Sequence, residues 1–197
     1  MEWREADGKR WLEARLPGAT AAFTTRDFGS ARQSFEPLAA LGIDPRAIVS
    51  AWQVHGADLV VHGQGDHVPA EADGHVVDAP GTVGLVFGAD CLPIAMVGPG
   101  GAAIVHAGRR GLEQEIAARG AETVDATAAA IGPGIGPCCY EVDLWREADR
   151  QLREAGVEKI EAAELCTCCE PDLFFSHRRD GDPRRQAGLV WLDREED

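Results

Sequence analysis

The sequence predicts an α+β fold, a single layered domain over residues 1–197 in which helices flank mixed β-sheets. Short apolar runs bounded by glycine and proline recur along the chain and are typical of buried strands. Two segments in the second half instead repeat apolar residues at helical spacing. Because these elements follow one another in irregular order, an α+β layered arrangement is indicated.

The first half of the chain is predicted to be rich in strands. Asp7-Gly8 suits a hairpin turn between two short strands, and Gly56 suits a tight turn between two others. A short helix is predicted over residues 35–41 and ends at Gly42. In chain order, strands are predicted over residues 3–15 as a hairpin, 19–25, 48–55, 59–62, 72–77 and 83–87, with a polar loop over residues 63–71.

The second half of the chain changes its hydrophobic period after residue 106. Apolar residues recur at helical spacing over residues 112–131 and predict one amphipathic helix. A second helix is predicted over residues 144–152, and Gly156 ends it. Strands are predicted over residues 159–166 and 187–192, and residues 193–197 are expected to form a disordered tail.

Two apolar runs in the middle of the chain, residues 84–87 and 102–105, have the character of neighbouring strands. Cys91 and His106 lie just beyond them, and His55 ends a third predicted strand. One thiolate with two imidazoles leaves a fourth coordination position open, which is the arrangement of a catalytic zinc. Water bound there becomes acidic enough to act as a nucleophile. The alternative is that Cys91 is an inert core residue.

Copper is the alternative metal, because two histidines and a cysteine with an axial methionine also form electron-transfer copper sites. Met96 lies on the Cys91 run and is the candidate axial ligand, although core filling explains it better. The remaining histidines have no partner spacing that singles them out and are interpreted as surface or loop residues. They are His62, His67, His75 and His177.

Charged residues near the predicted strand ends are candidates for the chemistry. Asp90 and Asp73 could orient a ligand histidine or act as an acid or base. Arg26 follows a predicted strand, and Arg109 stands at the start of the long predicted helix. Either arginine, with the positive end of that helix, could hold an anion such as phosphate. The alternative is that both are solvated surface charges.

Aromatic and cysteine residues give less specific signals. Trp52 and Phe174-Phe175 could form a stacking wall for a planar ligand or belong to the core. The segment Cys138-Cys139-Tyr140 could line the site or pack beneath it. The six cysteines are expected to be thiols, and their spacing argues against a four-cysteine structural zinc site.

The overall composition excludes several classes of function. The formal net charge of −14 lacks the basic field that nucleic-acid binding needs, so no nucleic-acid partner is expected. Asp90 and two prolines interrupt the central apolar stretch well short of a membrane span. The charged first ten residues lack the apolar region of a secretory signal, so a cytoplasmic protein is expected.

Six motifs spread over most of the chain resemble one family. In chain order they are Gln53-Val54-His55-Gly56, Ala89-Asp90-Cys91-Leu92-Pro93, His106-Ala107-Gly108-Arg109-Arg110-Gly111, Ile135-Gly136-Pro137-Cys138-Cys139-Tyr140-Glu141-Val142, Cys166-Thr167 and Phe174-Phe175-Ser176-His177-Arg178-Arg179. The chain resembles the laccase-domain, or YfiH-like, family, whose members are also called polyphenol oxidases and purine nucleoside phosphorylases.

The resemblance implies a fold with layered sheets and a zinc ion held by His55, Cys91 and His106. It also implies phosphorolysis of adenosine, inosine and methylthioadenosine, together with adenosine deamination. The expected partners are a purine nucleoside and phosphate, and the expected state is a monomer or a weak homodimer. The predicted catalytic residues are Asp90, Arg26 and Arg109, and the predicted substrate-binding residues are Asp73, Cys139 and Tyr140.

The sequence departs from the family pattern in three places, which affects the expected substrate range more than the metal site. Arg109 stands where the family commonly has tryptophan, the glycine-rich segment after Arg26 is degenerate, and an extra helical stretch after Val142 is missing. Three other functions stay open. They are an amidase or cysteine hydrolase that edits a peptidoglycan precursor, a zinc-binding interaction module, and, last, a copper-dependent polyphenol oxidase, for which the ligands are too few.

Overall fold

The computed structural model describes residues 1–63, 71–181 and 183–194, and over these residues two six-stranded sheets pack face to face beneath helices. The predicted α+β fold with mixed sheets is confirmed. The first sheet contains, in spatial order, β1 (Glu2–Ala6), β2 (Lys9–Leu16), β3 (Ala19–Thr24), β12 (Gln186–Leu192), β7 (Val83–Gly88) and β4 (Ile48–Val49).

The second sheet is the middle layer of the molecule. It contains, in spatial order, β11 (Lys159–Ala162), β10 (Ala128–Ile131), β8 (Leu92–Gly98), β9 (Gly101–Ala107), β6 (Gly74–Val77) and β5 (Leu59–His62). Most strand pairs are antiparallel, and the pairs β4–β7, β5–β6 and β10–β11 are parallel.

α-Helices cover the outer face of the second sheet, and 3-10 helices pack on the outer face of the first. The α-helices are α1 (Arg109–Glu113), α2 (Ile116–Thr123), α3 (Leu144–Glu154) and α4 (His177–Asp180), and 3-10 helices span Arg26–Phe28, Glu36–Leu41 and Pro45–Ala47. On β9, Ile104 packs with the first sheet, whereas Val105 packs with α2 and α3. Because both faces of β9 are buried, its residues 102–105 form a continuous apolar run.

The terminal elements follow the sequence closely. The hairpin of β1 and β2 turns at Asp7-Gly8, and α3 ends two residues before Gly156, whose φ is +89°. Asp193, expected in a disordered tail, accepts a hydrogen bond from the Thr20 hydroxyl at 2.7 Å. Residues 195–197 of that tail lie outside the described residues, as do His67 and most of the predicted loop over residues 63–71.

In the predicted strand–turn–strand unit over residues 48–62, the strand over 59–62 is confirmed, but the strand over 48–55 and its pairing with 59–62 are wrong. Only Ile48–Val49 pairs as a strand in the first sheet, whereas Leu59–His62 belongs to the second sheet. Between them, the backbone N–H groups of Val54 and Gly56 donate to the carboxylate of Asp73 instead of to a neighbouring strand. The buried carboxylate replaces the sheet ladder there.

The predicted single helix over residues 112–131 is also divided. Glu115 adopts φ +62°, which separates α1 from α2, and Asp125 at φ +50° ends the helical region. The apolar residues Ala128–Ile131 then form β10 between β8 and β11. A short run of alanine and isoleucine suits either structure, and sheet pairing decides it.

Among the described residues, none of the helices combines the length and the apolar character that crossing a bilayer needs.

The neighbouring histidines on β5 and β6 predict a pH dependence of stability. Nδ1 of His75 lies 2.9 Å from Nε2 of His62. The other ring nitrogen of His75, Nε2, is buried and has no hydrogen-bond partner among the described residues. Burial, reinforced by His62, lowers the pKa of His75 to about 4. Because an unfolded histidine titrates near pH 6.5, protonation of the unfolded chain removes about 3 kcal/mol of stability as the pH falls from about 6.5 to about 4.

Urea unfolding at about pH 7.5 and about pH 4.5 tests this dependence. The free energy of unfolding is expected to fall between about pH 7.5 and about pH 4.5 in both wild type and a His75→Gln variant. The fall in the variant should be smaller than the fall in wild type by about 2–3 kcal/mol. Equal losses in the two proteins would assign the acid sensitivity to other groups.

Candidate metal centre

His55, Cys91 and His106 lie together at one end of the two sheets. Their ligand atoms are all within 4.8 Å of one another, and the imidazole rings meet edge to face with centroids 4.9 Å apart. His106 is buried, Cys91 is partly exposed and His55 is exposed. The structure therefore brings the three predicted ligands into one group that is open on the His55 side.

The route of the chain differs from the predicted one. The runs over residues 84–87 and 102–105 are not neighbouring strands, because β7 belongs to the first sheet and β9 to the second. Cys91 lies in the connection that crosses from β7 to β8, and β8 pairs with β9 so that Pro93 opposes His106. Cys91 thus precedes a strand whose start lies beside the end of β9.

Asp73 organises two of the three ligands from beneath. Its fully buried carboxylate accepts hydrogen bonds from the backbone N–H groups of Val54 (3.0 Å), His55 (3.0 Å) and Gly56 (2.7 Å). It also lies 2.8 Å from Nδ1 of His106. An Nδ1–H that donates to this carboxylate leaves Nε2 of His106 available as a ligand.

The same carboxylate fixes the backbone at His55. His55 has φ +61°, in the left-handed region that non-glycine residues seldom adopt. The hydrogen bonds from residues 54–56 to Asp73 hold this turn. Burial opposes ionisation of Asp73, but the hydrogen bonds from His106 and Gly56 outweigh it and hold the pKa of Asp73 below its ordinary value.

The electrostatics of the centre favour a thiolate. Burial opposes ionisation of Cys91, but the neighbouring His106 and His55 outweigh it and lower the pKa of the thiol to about 6. Burial also opposes protonation of His106, but Cys91 and Asp73 outweigh it and raise the pKa of that imidazole to about 9. The thiolate is the form of cysteine that binds metals and acts as a nucleophile.

Gly108 gives the centre the space it needs. A Cβ atom at this position would lie 2.7 Å from Sγ of Cys91 and 3.4 Å from Cδ2 of His55. The backbone of Gly108 is extended, with φ −86° and ψ 177°, so any residue could adopt its conformation. Glycine is therefore required here for the close approach and not for backbone freedom.

A cavity of about 420 Å³ opens beside the three ligands. Aromatic rings of Phe87 and Tyr140 line it. Its lining is strongly basic, in contrast to the net charge of −14 of the whole chain. The basic lining residues are Arg32, Arg109, Arg110, His177, Arg178 and Arg185. Such a cavity suits a ligand that combines a planar ring with an anionic group.

Asp90 and Tyr140 lie at this cavity, as the sequence predicts. Asp90 Oδ1 accepts a hydrogen bond from the Thr167 hydroxyl, and Oδ2 accepts one from the backbone N–H of Arg178, both at 2.7 Å. Asp90 therefore ties the segment that carries Thr167 to the first turn of α4. The guanidinium of Arg178 lies 5.5 Å from the centroid of the Tyr140 ring.

The two arginines predicted for the site differ in their environment. Arg109 lines the cavity, and its guanidinium pairs with Glu113 at 2.9 Å and with Glu141 at 3.6 Å. Arg26 is not part of the cavity lining; it donates a hydrogen bond to the carbonyl of Pro171 and lies 5.3 Å from the Phe175 ring centroid. The helix expected to assist them, α1, has only five residues.

Other predicted contacts also fall outside the cavity. Asp73 lies beneath the ligands, and Cys139 belongs to a separate group of sulfur atoms. Phe174 and Phe175 are fully buried core residues, which rules out the proposed stacking wall at that position. Trp52 is 66% exposed and is not part of the cavity lining.

Sequence reasoning missed several residues of the cavity wall. Phe87 is the last residue of a predicted strand, and Arg32 precedes the first predicted helix without any motif. His177 was interpreted as a loop residue, although α4 presents it with Arg178 to the cavity. The motif over residues 174–179 contains both His177 and Arg178 and is the sequence signal that points to them.

Comparisons with known proteins identify relatives along most of the chain. A family model described as "Multi-copper polyphenol oxidoreductase laccase" matches residues 29–144 and 141–193. The chain is 32% identical to "Purine nucleoside phosphorylase YfiH" of Escherichia coli (strain K12), over 79% of this chain and 78% of that protein. It is also 32% identical to "Purine nucleoside phosphorylase YlmD" of Geobacillus stearothermophilus, over 89% and 92% of the two chains.

Solved structures share the fold over nearly the whole chain. The crystal structure of YlmD from Geobacillus stearothermophilus superposes with a TM-score of 0.83 at 28% identity and covers 98% of this chain and 99% of that one. The Bacillus licheniformis hypothetical protein YfiH also gives a TM-score of 0.83, at 25% identity, with coverage of 97% and 99%.

Proposed function

Because the chain belongs to the multi-copper polyphenol oxidoreductase laccase family, we propose that it is a zinc-dependent purine nucleoside phosphorylase. The proposed substrates are phosphate with adenosine, inosine or methylthioadenosine, and the proposed second activity is adenosine deamination. The observation that carries the proposal is the convergence of His55, Cys91 and His106, oriented by Asp73, on a basic cavity with aromatic walls. The names of the relatives support the same reaction class.

The donor set fits zinc. Two imidazoles and one thiolate are zinc ligands, and the exposed side at His55 leaves room for a further ligand, as in catalytic zinc sites. Copper would call for an axial ligand such as Met96, but Met96 is fully buried against Gly120 of α2. A bound zinc ion would supply Lewis-acid chemistry at the edge of the cavity.

Phosphate binding is assigned to the basic side of the cavity. Arg110 lines the cavity and has no carboxylate within 4.0 Å among the described residues, so its charge is available to an anion. Arg109 and Arg178 line the same wall and share Glu141, which partly neutralises them. Arg110 is therefore the primary phosphate ligand in this proposal, and Arg109 assists it.

The remaining residues orient the nucleoside and support the wall. Phe87 and Tyr140 offer aromatic faces for the purine. Asp90 is a positioning residue, since its two carboxylate oxygens hold Thr167 and the first turn of α4. In phosphorolysis a phosphate oxygen bonds to ribose C1′ while the bond from C1′ to the purine nitrogen breaks, and the purine takes that electron pair and a proton. Deamination uses water as the nucleophile and needs no phosphate.

Product analysis with adenosine tests this proposal. Zinc-quantified protein is incubated with adenosine with and without phosphate, and the products are separated by chromatography. Adenine is expected only with phosphate, and inosine under both conditions. His106→Ala is expected to lose zinc from the centre and to form neither product, because a metal ligand is removed. Zinc-loaded wild type that turns over none of the three nucleosides would contradict the proposal.

An arginine comparison within the same assay tests the phosphate site. Arg110→Gln is expected to raise the KM for phosphate by about ten- to hundredfold, because a charged hydrogen-bond partner is lost. Zinc content and inosine formation should stay at the wild-type level. Arg146→Gln, on the exposed surface of α3, is the matched control and should leave the KM unchanged.

A second candidate function is a cysteine hydrolase that edits a peptidoglycan precursor. Cys91, His106 and Asp73 also form the sequence of nucleophile, base and orienting carboxylate that such enzymes use, with the last two 2.8 Å apart. Chelation distinguishes the two functions. Chelated protein that releases an amino acid from a nucleotide-linked precursor, with loss of this activity in Cys91→Ser, would favour the hydrolase.

A further inference from the structure

A second group of sulfur atoms lies outside the centre at His55. The sulfur atoms of Cys138, Cys139, Cys166 and Cys169 are all within 4.8 Å of one another. Sγ of Cys169 lies 3.4 Å from Sγ of Cys138 and 3.5 Å from Sγ of Cys139. Tetrahedral zinc with Zn–S bonds of about 2.3 Å separates its sulfur ligands by about 3.8 Å. The group therefore has the size of a tetrathiolate zinc site.

The turn that carries two of these cysteines has the spacing of a zinc knuckle. Cys166 and Cys169 are separated by two residues, so the spacing argument against a four-cysteine site is wrong for this turn. The backbone N–H groups of Cys169 and Glu170 both donate to the carbonyl of Cys166 at 3.1 Å and close the turn. The backbone N–H of Gly136 donates to Sγ of Cys166 at 3.2 Å, which suits a thiolate acceptor.

We propose that these four cysteines bind a structural zinc ion that is distinct from the ion proposed at His55, Cys91 and His106. A set of four thiolates with no open position is typical of structural and not of catalytic zinc. Four thiolates leave the site with net negative charge. Arg179 lies beside it and donates to the carbonyls of Thr167 at 2.7 Å and Cys168 at 3.1 Å.

The ion joins two segments that border the catalytic cavity. One segment carries Cys138 and Cys139 and contributes Ile135 and Tyr140 to the cavity lining. The other carries Thr167, whose hydroxyl donates to Asp90. The backbone connects the two segments only through a short bridge at Gly134 and Cys166 within the described chain. Zinc at the four cysteines thus holds the segment that carries Tyr140 against the segment whose Thr167 hydroxyl donates to Asp90.

Metal stoichiometry tests the proposal without any activity assay. Protein is purified under reducing conditions with zinc present, and zinc per folded chain is measured by elemental analysis. Wild type is expected to contain two zinc ions and the double variant Cys138→Ser/Cys169→Ser one. His106→Ala is also expected to contain one, lost from the other centre. Cys168→Ser is the matched control, since Cys168 is adjacent but outside the four-cysteine group, and should keep two.

Thiol protection in the unmodified protein covers the case in which the double variant does not fold. Cys138 and Cys169 are exposed, so without a metal they should react readily with iodoacetamide. The proposal predicts that both are protected until a chelator removes zinc. Rapid alkylation in the zinc-loaded protein, or a disulfide within the group detected by mass spectrometry of the reduced preparation, would overturn the proposal. Neither outcome depends on the proposed nucleoside chemistry.

Discussion

Replacing Asp73 with asparagine is expected to lower the zinc affinity of the His55 centre by about ten- to hundredfold, as loss of a carboxylate that orients a ligand histidine does elsewhere. The carboxylate accepts hydrogen bonds from Val54, His55 and Gly56 and orients His106. An amide has one acceptor oxygen, and its NH₂ group would face donors that now meet the second oxygen. Each buried donor left without an acceptor costs about 1–3 kcal/mol, so the free energy of unfolding should also fall.

Competition with a chromophoric chelator measures the zinc affinity, and urea unfolding of chelated protein measures the stability separately. Asp58→Asn is the matched control, because Asp58 is exposed and accepts the hydrogen bonds from the N–H groups of Asp73 and Gly74 with its backbone carbonyl, which the substitution keeps. It should change neither quantity. An Asp73→Asn variant that binds zinc as tightly as wild type would show that the ligands are oriented without this carboxylate.

A Gly108→Ala variant is expected to lose zinc from the same centre and to lose phosphorolysis by at least about hundredfold. The added methyl group would lie 2.7 Å from Sγ of Cys91, a distance that real Cβ atoms do not adopt, so the thiolate must move. Misplacement of a catalytic group by about 1 Å is sufficient for a loss of this size. Zinc bound by the four-cysteine group should remain, so elemental analysis should give one ion per chain.

The control for this variant is Gly156→Ala. Gly156 has φ +89°, and a Cβ there would meet nothing within 4 Å. The change is expected to cost about 1 kcal/mol of stability through backbone strain and to leave zinc content unchanged. If Gly108→Ala keeps full zinc at the His55 centre, the steric account of Gly108 is incorrect.

The candidate metal ligands were easier to predict from sequence than the contacts between them. His55, Cys91 and His106 could be chosen from donor type and position after apolar runs, and they lie together. Their route could not be predicted, because runs of equal apolar character form β7 in one sheet and β9 in the other. Pairing between distant strands depends on the whole set of strands, which local periodicity does not contain.

Long-range contacts also explain the other differences. Asp73 is 33 residues from His106, so its role as an orienting carboxylate appears only when β6 and β9 are side by side. Cys138 and Cys169 are likewise 31 residues apart in the chain, and their proximity also depends on the tertiary fold. The residues Ala128–Ile131 continue the helical hydrophobic period of the preceding segment. They nevertheless form a strand, because they pair with β8 on one side and with β11 on the other. Tertiary pairing overrides local propensity there.

The course of the chain gives the His55 centre a mechanical meaning as well as a chemical one. His55 lies in the connection from β4 to β5, and Cys91 in the connection from β7 to β8; both connections leave the first sheet and enter the second. His106 is the second-last residue of β9 in the second sheet. An ion bound by all three residues would hold both of these connections at the same end of the two sheets. The spacing between the two sheets would therefore constrain the positions of the three ligands, and the bound ion would constrain that spacing in turn.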